Sequence, residues 1–280
     1  AREVTLKMIK TIHQKLVDQN ICGHSGRLME LEAFAHGALC IAVSGRCGMS
    51  LYSSNASANR GACEQNCRKE YKITDVDTGK EMIVDNNLIM SPNDILTIDF
   101  IDQMLDSGIC VFKIEGRGRP PEYVGTVTNA YRRAIDAVQD GTYSRELVEE
   151  LKSEIEKVYN RGFSSGYYLG QKQGWSGAYG NKATRRKARV GTVVNHFANI
   201  GVIQINATEI DLSIGDEYVI VGNTTGAVKG IVDELRIEQD GEMEKLDTAP
   251  RGSVITMVHD GEVRRGDQLY KMEQVVSLLT

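Results

Sequence analysis

The sequence predicts an α/β chain in two parts: a layer of helices and parallel strands, then a small closed all-β barrel. Three observations lead to this. Strand-like and helix-like periodicities alternate over residues 91–159. Short apolar runs separated by Gly or Asp turns fill the last third of the chain. Between the first helix and the alternating region lies a stretch, 37–70, rich in Gly, Ser, Asn and Cys. A loop of that length belongs in a compact domain when it is functional or held by a ligand.

The first element is a helix over residues 1–20, with Leu6, Ile9, Ile12, His13 and Leu16 at helical spacing. Residues 29–36 alternate as a strand, with Glu30, Glu32, Phe34 and His36 on one face and Leu31, Ala33 and Ala35 on the other. After the cysteine-rich loop, Ser91-Pro92-Asn93-Asp94 reads as the cap and first turn of a helix running to about Asp106. Ser107-Gly108 ends it, and a strand follows over 109–115. Two helices come next, about 122–139 and 144–159. Composition shifts near residue 180, giving an expected division into 1–180, a basic linker 181–189, and a barrel 190–280. The barrel strands are expected at 190–194, 200–206, 217–221, 228–237, 253–258 and 268–272, with Gly215-Asp216 and Gly266-Asp267 as tight turns.

The 280 residues, 41% hydrophobic and 25% charged, describe a globular chain large enough for two domains. A net charge of −5 excludes a protein that coats nucleic acid with an overall basic surface, but leaves room for a local basic patch. No apolar run is long enough to span a membrane. Ala1-Arg2-Glu3 has neither an initiator Met nor the apolar core of a signal peptide, so a cytoplasmic location is expected, with the chain as a processed product or a fragment.

Cys40, Cys47, Cys63 and Cys67 cluster in the loop. In a reducing compartment such clustering points to metal or catalysis rather than disulfides. Thiolates suit zinc or an iron–sulfur cluster. The tight Cys-x2-Cys pairs of structural zinc sites are absent, and Gly45, Gly48 and Gly61 between the cysteines suit a loop wrapped round a larger object. Arg46, Arg60 and Arg68 are placed to offset thiolate charge or contact an anionic substrate. Cys22 and Cys110 read as small core residues.

Glu32 and Glu115 are candidate acid/base groups, and Lys113, Glu115 and Arg117 share one face by period two. The alternative is a structural ion pair. His36 is a candidate orienter or substrate contact, against the commoner packed histidine. Lys182, Arg185, Arg186 and Lys187 read either as a solvated hinge or as a phosphate-contacting strip. No nucleotide-binding Gly loop, Gly-x-Ser-x-Gly elbow or His-Glu-x-x-His helix is present.

The run Glu32-Ala-Phe34-Ala-His36-Gly37-Ala38-Leu39-Cys40, then Ser44-Gly45-Arg46-Cys47-Gly48-Met49-Ser50, resembles the signature of the collagenase-like peptidases, the thirty-second family among peptidases of unknown catalytic type. Asn59-Arg60-Gly61-Ala62-Cys63, Cys67-Arg68 and Lys113-Ile-Glu115-Gly116-Arg117 continue the likeness over nearly the whole chain. The resemblance implies a TIM-type barrel, here its C-terminal part, followed by a small β-barrel. It further implies a four-iron, four-sulfur cluster on Cys40, Cys47, Cys63 and Cys67, with zinc as the alternative. Activities implied are prephenate-dependent hydroxylation of the tRNA wobble uridine and related RNA or ubiquinone hydroxylations, with collagenase-like peptidase activity as the rival. The barrel after residue 190 also resembles the second domain of translation elongation factors, which fits an RNA partner. The chain departs from the family at its front, where few residues precede the Glu-x-Phe motif. A fragment, or a subunit whose barrel is completed by a partner chain, is therefore a third expectation.

Overall fold

A computed structural model describes residues 2–84, 90–171, 181–239 and 241–275. The chain divides into two compact units, one of Ala1–Arg119 with Thr126–Lys182 and one of Pro120–Gly125 with Ala183–Thr280.

In the first unit, α1 (Leu6–Asp18) is capped by Thr5, whose hydroxyl accepts from the Met8 N–H, and buries Ile9 and Leu16. Strand β1 (Leu31–Gly37) follows, then the cysteine loop with the short α2 (Gly48–Ser54). A hairpin of β2 (Tyr71–Thr74) and β3 (Glu81–Val84) leads to β4 (Asp94–Leu96), α3 (Ile101–Asp106) and β5 (Ile109–Ile114). The helices α4 (Pro121–Gln139) and α5 (Arg145–Glu156) come next, α5 capped by the Ser144 hydroxyl, and β6 (Phe163–Ser164) completes the sheet.

The sheet order is β5-β1-β4-β6. β1 pairs parallel with β5 and β4 parallel with β6, but β1 and β4 are antiparallel. The sheet is therefore mixed, which corrects the expectation of parallel strands throughout; a TIM-type barrel has only parallel pairs. The helix expected from Ser91 is also corrected. The residues that read as a helix cap are instead acceptors for distant side chains: the Ser91 hydroxyl receives Arg68 and the Asp94 carboxylate receives Arg161. With those groups engaged, Asp94–Leu96 runs as a buried strand, a single helical turn follows at Ile98–Phe100, and the α-helix begins only at Ile101.

The middle strand β1 is held by tyrosines as well as by strands. The Tyr131 hydroxyl donates to the Ala35 carbonyl (2.7 Å) and accepts from the Thr97 N–H (2.9 Å), while Tyr168 donates to the Phe34 carbonyl (2.7 Å). Buried polar groups of this kind must be paired. Here the pairing locates β1 against α4 and the segment after β6.

The second unit holds β7 (Arg185–Phe197), β8 (Val202–Ala207), β9 (Leu212–Ser213), β10 (Glu217–Gly222), β11 (Gly226–Ile231), β12 (Leu235–Gln239), β13 (Glu242–Leu246), β14 (Thr248–Ala249), β15 (Ser253–Val258) and β16 (Gln268–Gln274). Eight of them form one antiparallel sheet in the order β11-β10-β16-β7-β8-β15-β12-β13, curled round a core that includes Val190, Ile203, Ile205, Ile220, Ile255 and Leu269. Its outermost strands do not pair with each other among the described residues, so hydrogen bonding does not close the expected barrel. The run expected as one strand over 228–237 is split between β11 and β12. Both predicted turns are built by their aspartates: Asp216 accepts from the Ser213 N–H and Asp267 from the Arg264 N–H, each at 2.8 Å. The glycine before each has positive φ, which a side chain would oppose.

The expected linker is corrected as well. From Arg185 it is the first half of β7, because each cation meets a carboxylate. Arg185 pairs with Glu217, Arg186 with Glu273, Lys187 with Glu122 and Arg189 with Glu209.

Candidate thiol site and cationic cavity

The cysteine loop is a chain of short turns fixed by close approaches. Single helical turns at Val43–Gly45, Ala58–Arg60 and Asn66–Arg68 flank α2. Gly45 has φ of +70° and stands where a Cβ would lie 3.3 Å from the Asn59 Cβ, so the first two turns touch only because this residue is glycine. Cys47 caps α2, its Sγ accepting from the Ser50 N–H at 3.4 Å. The buried Ser50 hydroxyl accepts from the Glu64 N–H (3.3 Å), and the Asn66 amide donates to Ser53 (2.8 Å). These bonds draw the Cys63 and Cys67 segments onto α2.

Cys40, Cys47, Cys63 and Cys67 are all free and partly buried. Burial pushes the Cys67 thiol up, Arg68 pulls it down, and the neighbouring Cys40, Cys63 and Cys47 push it up again. That mutual influence places four thiols in one neighbourhood. At Cys47 burial also favours the thiol, but hydrogen bonds from Ser50 and the Met49 N–H outweigh it and hold the pKa below the ordinary range. The donor set is soft and all sulfur, suited to zinc or iron–sulfur chemistry. A mononuclear zinc site gathers its donors within about 2.3 Å of one ion. Among the described residues no three His, Cys, Asp or Glu side chains form a group that would hold one metal ion. Cys22 and Cys110, expected in the core, are exposed: the turn at Cys22 and the outer strand β5 leave them on the surface.

Beside the thiols lies a cavity of about 450 Å³ whose wall includes Cys40, Cys63 and Cys67. Its charged lining is Arg2, Arg68, Lys113, Arg117, Arg119 and Arg161 against the single carboxylate Glu115. Arg2 and Lys113 lie over the Phe34 ring at 4.5 and 5.2 Å, and Arg119 stacks on Tyr159 at 3.6 Å. Arg161 is held by the buried Asp94 at 3.3 Å. Such a concave, cationic surface attracts anions.

The residues predicted from sequence divide sharply. Glu115 and Arg117 both face the cavity: Glu115 accepts from the Arg117 N–H (2.8 Å), and the Arg117 guanidinium reaches the Gly61 carbonyl of the cysteine loop (3.2 Å). Gly37 lets this strand end approach, since a Cβ there would lie 2.6 Å from the Glu115 carbonyl oxygen. Glu32 lies outside that lining, exposed and 3.7 Å from Lys113. His36 is 1% exposed, packed between Tyr131 and Phe163, and burial drives its pKa down to about 3. It is thus a neutral residue beneath the strand rather than a group facing substrate, because β1 is covered on that side by α4. Arg68, expected to contact substrate or RNA, spends its donors on the protein, at Ser91, Pro92 and Leu39. Arg46 and Arg60 are exposed. Lys182 adjoins Gly162, where an added Cβ would meet its Nζ at 3.1 Å, and Arg185, Arg186 and Lys187 are the paired cations of β7. The sequence reading did not single out Arg119 or the Asp94–Arg161 pair. Asp94 was hidden by its resemblance to a helix start, whereas the Arg117-Gly118-Arg119 spacing was an available signal.

The profile of Peptidase family U32 matches residues 1–176. The chain is 46% identical over 98% of its length to a protein named Collagenase from Porphyromonas gingivalis, spanning 66% of that protein. It is 35% identical over 99% of its length to an uncharacterized protease, MJ0090, of Methanocaldococcus jannaschii, again spanning 66%. It is 31% identical over 78% of its length to tRNA hydroxylation protein P1 of Bacillus subtilis, of which the match covers 54%. The chain thus spans slightly less than two thirds of the first two relatives and about half of the third. With the family profile matched across the whole cysteine loop and the charged strand end at Glu115, the chain belongs to peptidase family U32.

Proposed function

We propose that this chain carries an iron–sulfur RNA-modification site acting in tRNA wobble-uridine hydroxylation, with a four-iron, four-sulfur cluster on Cys40, Cys47, Cys63 and Cys67. The observation that carries this reading is four free thiols in one loop, three of them in the wall of a cavity lined by cations. The relative named tRNA hydroxylation protein P1 supports an RNA substrate. When bound, a cluster would supply a redox or Lewis-acid centre at the cavity wall.

The chain's own groups have separate tasks. Arg117, Arg119 and Arg161 bind and orient an anion, either an RNA phosphate or the carboxylates of an oxygen donor such as prephenate. Glu115, which accepts from the Arg117 N–H, is the carboxylate in the cavity wall placed to take or give a proton. Arg2 and Lys113, over the Phe34 ring, add two further cations to the cavity wall. The outer strands β5 and β6 are where further strands, from a partner chain or from the rest of a longer protein, would pair.

Anaerobic purification with iron and sulfide analysis tests the cluster: four of each per chain are expected, and one zinc without sulfide would refute it. Mass spectrometry of tRNA nucleosides from a deletion strain tests the substrate, with loss of hydroxyuridine expected. A second reading, peptidase activity, is favoured by the 46% identity to a protein named Collagenase. It predicts gelatin cleavage that survives replacement of all four cysteines by Ser.

A further inference from the structure

Arg68 lies next to Cys67 in sequence, and its guanidinium reaches two other segments. One arm donates to the Leu39 carbonyl at 3.1 Å, immediately before Cys40. The other donates to the Pro92 carbonyl at 3.3 Å and to the Ser91 hydroxyl, at the entry to β4. One side chain therefore couples the backbone at Cys40 to the backbone at Cys67 and secures both to the sheet. The residues that carry two of these acceptors are buried: Leu39 is 2% exposed and Ser91 1%. A second guanidinium, Arg161, lies close enough to act electrostatically on Arg68. Asp94 acts as a counter-charge to this pair, and it bonds Arg161.

We propose that Arg68 is a positioning residue that sets Cys40 and Cys67 relative to one another before any metal group binds. This rests on the thiol site being a metal site. The chemistry fits the tie: a planar fork holds two acceptors in fixed directions, while a lysine ammonium keeps the charge without the fork. Preorganised ligands lose less freedom on binding, so the effect falls on retention of the bound group.

The test compares wild type with Arg68→Lys and Arg68→Gln, in two measurements on anaerobically purified full chain. The first is the rate at which a chelator removes the bound metal. Roughly tenfold faster loss is expected for both variants, in the range found for residues that support metal ligands. The second is amide hydrogen exchange in metal-free protein, where Cys40 and Ile41 should exchange faster while β1 keeps its protection. If Arg68→Lys retains metal like wild type, charge alone suffices and the proposal fails. If exchange at Cys40 and Ile41 is unchanged in both variants, the tie does not exist and the proposal fails. Should Arg68→Gln not fold, Ser91→Ala removes one acceptor and should give a smaller change in the same direction; no change there counts against the proposal. If the purified chain binds no metal at all, the function proposed above fails, whereas the exchange measurement still decides whether Arg68 holds Cys40.

Discussion

Asp94→Asn removes one charge from the most buried ion pair of the first unit while keeping the shape of the side chain. The Asp94 side chain is 3% exposed and that of Arg161 11%. One carboxylate oxygen accepts from the Arg161 guanidinium at 3.3 Å and the other from the Arg161 N–H at 3.2 Å. At an effective dielectric of about 20, unit charges at that separation attract by about 5 kcal/mol, before the cost of desolvation. Without the carboxylate charge, Arg161 stays buried beside Arg68 and loses the carboxylate that offsets their repulsion. Removing one partner of a buried pair costs about 3–5 kcal/mol. Asparagine keeps an acceptor, so the lower end, about 3 kcal/mol, is expected. Because the chain has two compact units, a single unfolding midpoint would mix their responses. Hydrogen exchange separates them. Protection in β1 and β4 should fall about 100-fold, with β7, β8 and β15 unchanged. A loss under 1 kcal/mol in the first unit would refute the reasoning and place the pair in water. A second check is the double variant Asp94→Leu with Arg161→Met, which should recover most of the loss because no unpaired charge remains.

Other outcomes follow from the same contacts. Tyr131→Phe deletes a hydroxyl bonded to the Ala35 carbonyl and the Thr97 N–H; the carbonyl keeps the Thr97 hydroxyl (3.1 Å), but the buried N–H loses this acceptor, so about 1–3 kcal/mol should be lost from the first unit in denaturant titration. Gly37→Ala places a Cβ 2.6 Å from the Glu115 carbonyl oxygen at φ of +107°, so the β1–β5 junction must open; the variant should lose metal and substrate affinity before it loses secondary structure by circular dichroism. His36 has a folded pKa near 3, below its unfolded value, so its contribution is complete above about pH 6.5 and is lost as pH falls toward 3. Wild type should therefore show a stability slope in that window steeper than His36→Gln by up to about 1.4 kcal/mol per pH unit, and equal slopes would mean that the imidazole is not buried neutral.

The local pattern determined much of this protein. Period-two alternation located β1, helical spacing located α1, α4 and α5, and the Gly-Asp pairs located two turns, because each depends on residues close in sequence. Clustering of Cys40, Cys47, Cys63 and Cys67 in a glycine-containing loop marked the candidate site for the same reason. Only the tertiary structure decided what depends on distant partners. Ser91-Pro92-Asn93-Asp94 has the letters of a helix cap, but Arg68 and Arg161 claim its oxygens and turn it into a strand. Lys182 to Arg189 reads as a basic linker, but four carboxylates from other segments neutralise most of it within β7. His36 alternates correctly to share a face with Glu32, and the covering by Tyr131 and Phe163 makes it a neutral core residue. Charge and hydrogen-bonding capacity are properties of single residues, whereas the partner that consumes them is chosen by the fold. For that reason the cysteines and the neighbouring Arg68 were legible from the sequence, whereas the distant groups that hold Arg68 and Arg161 were not.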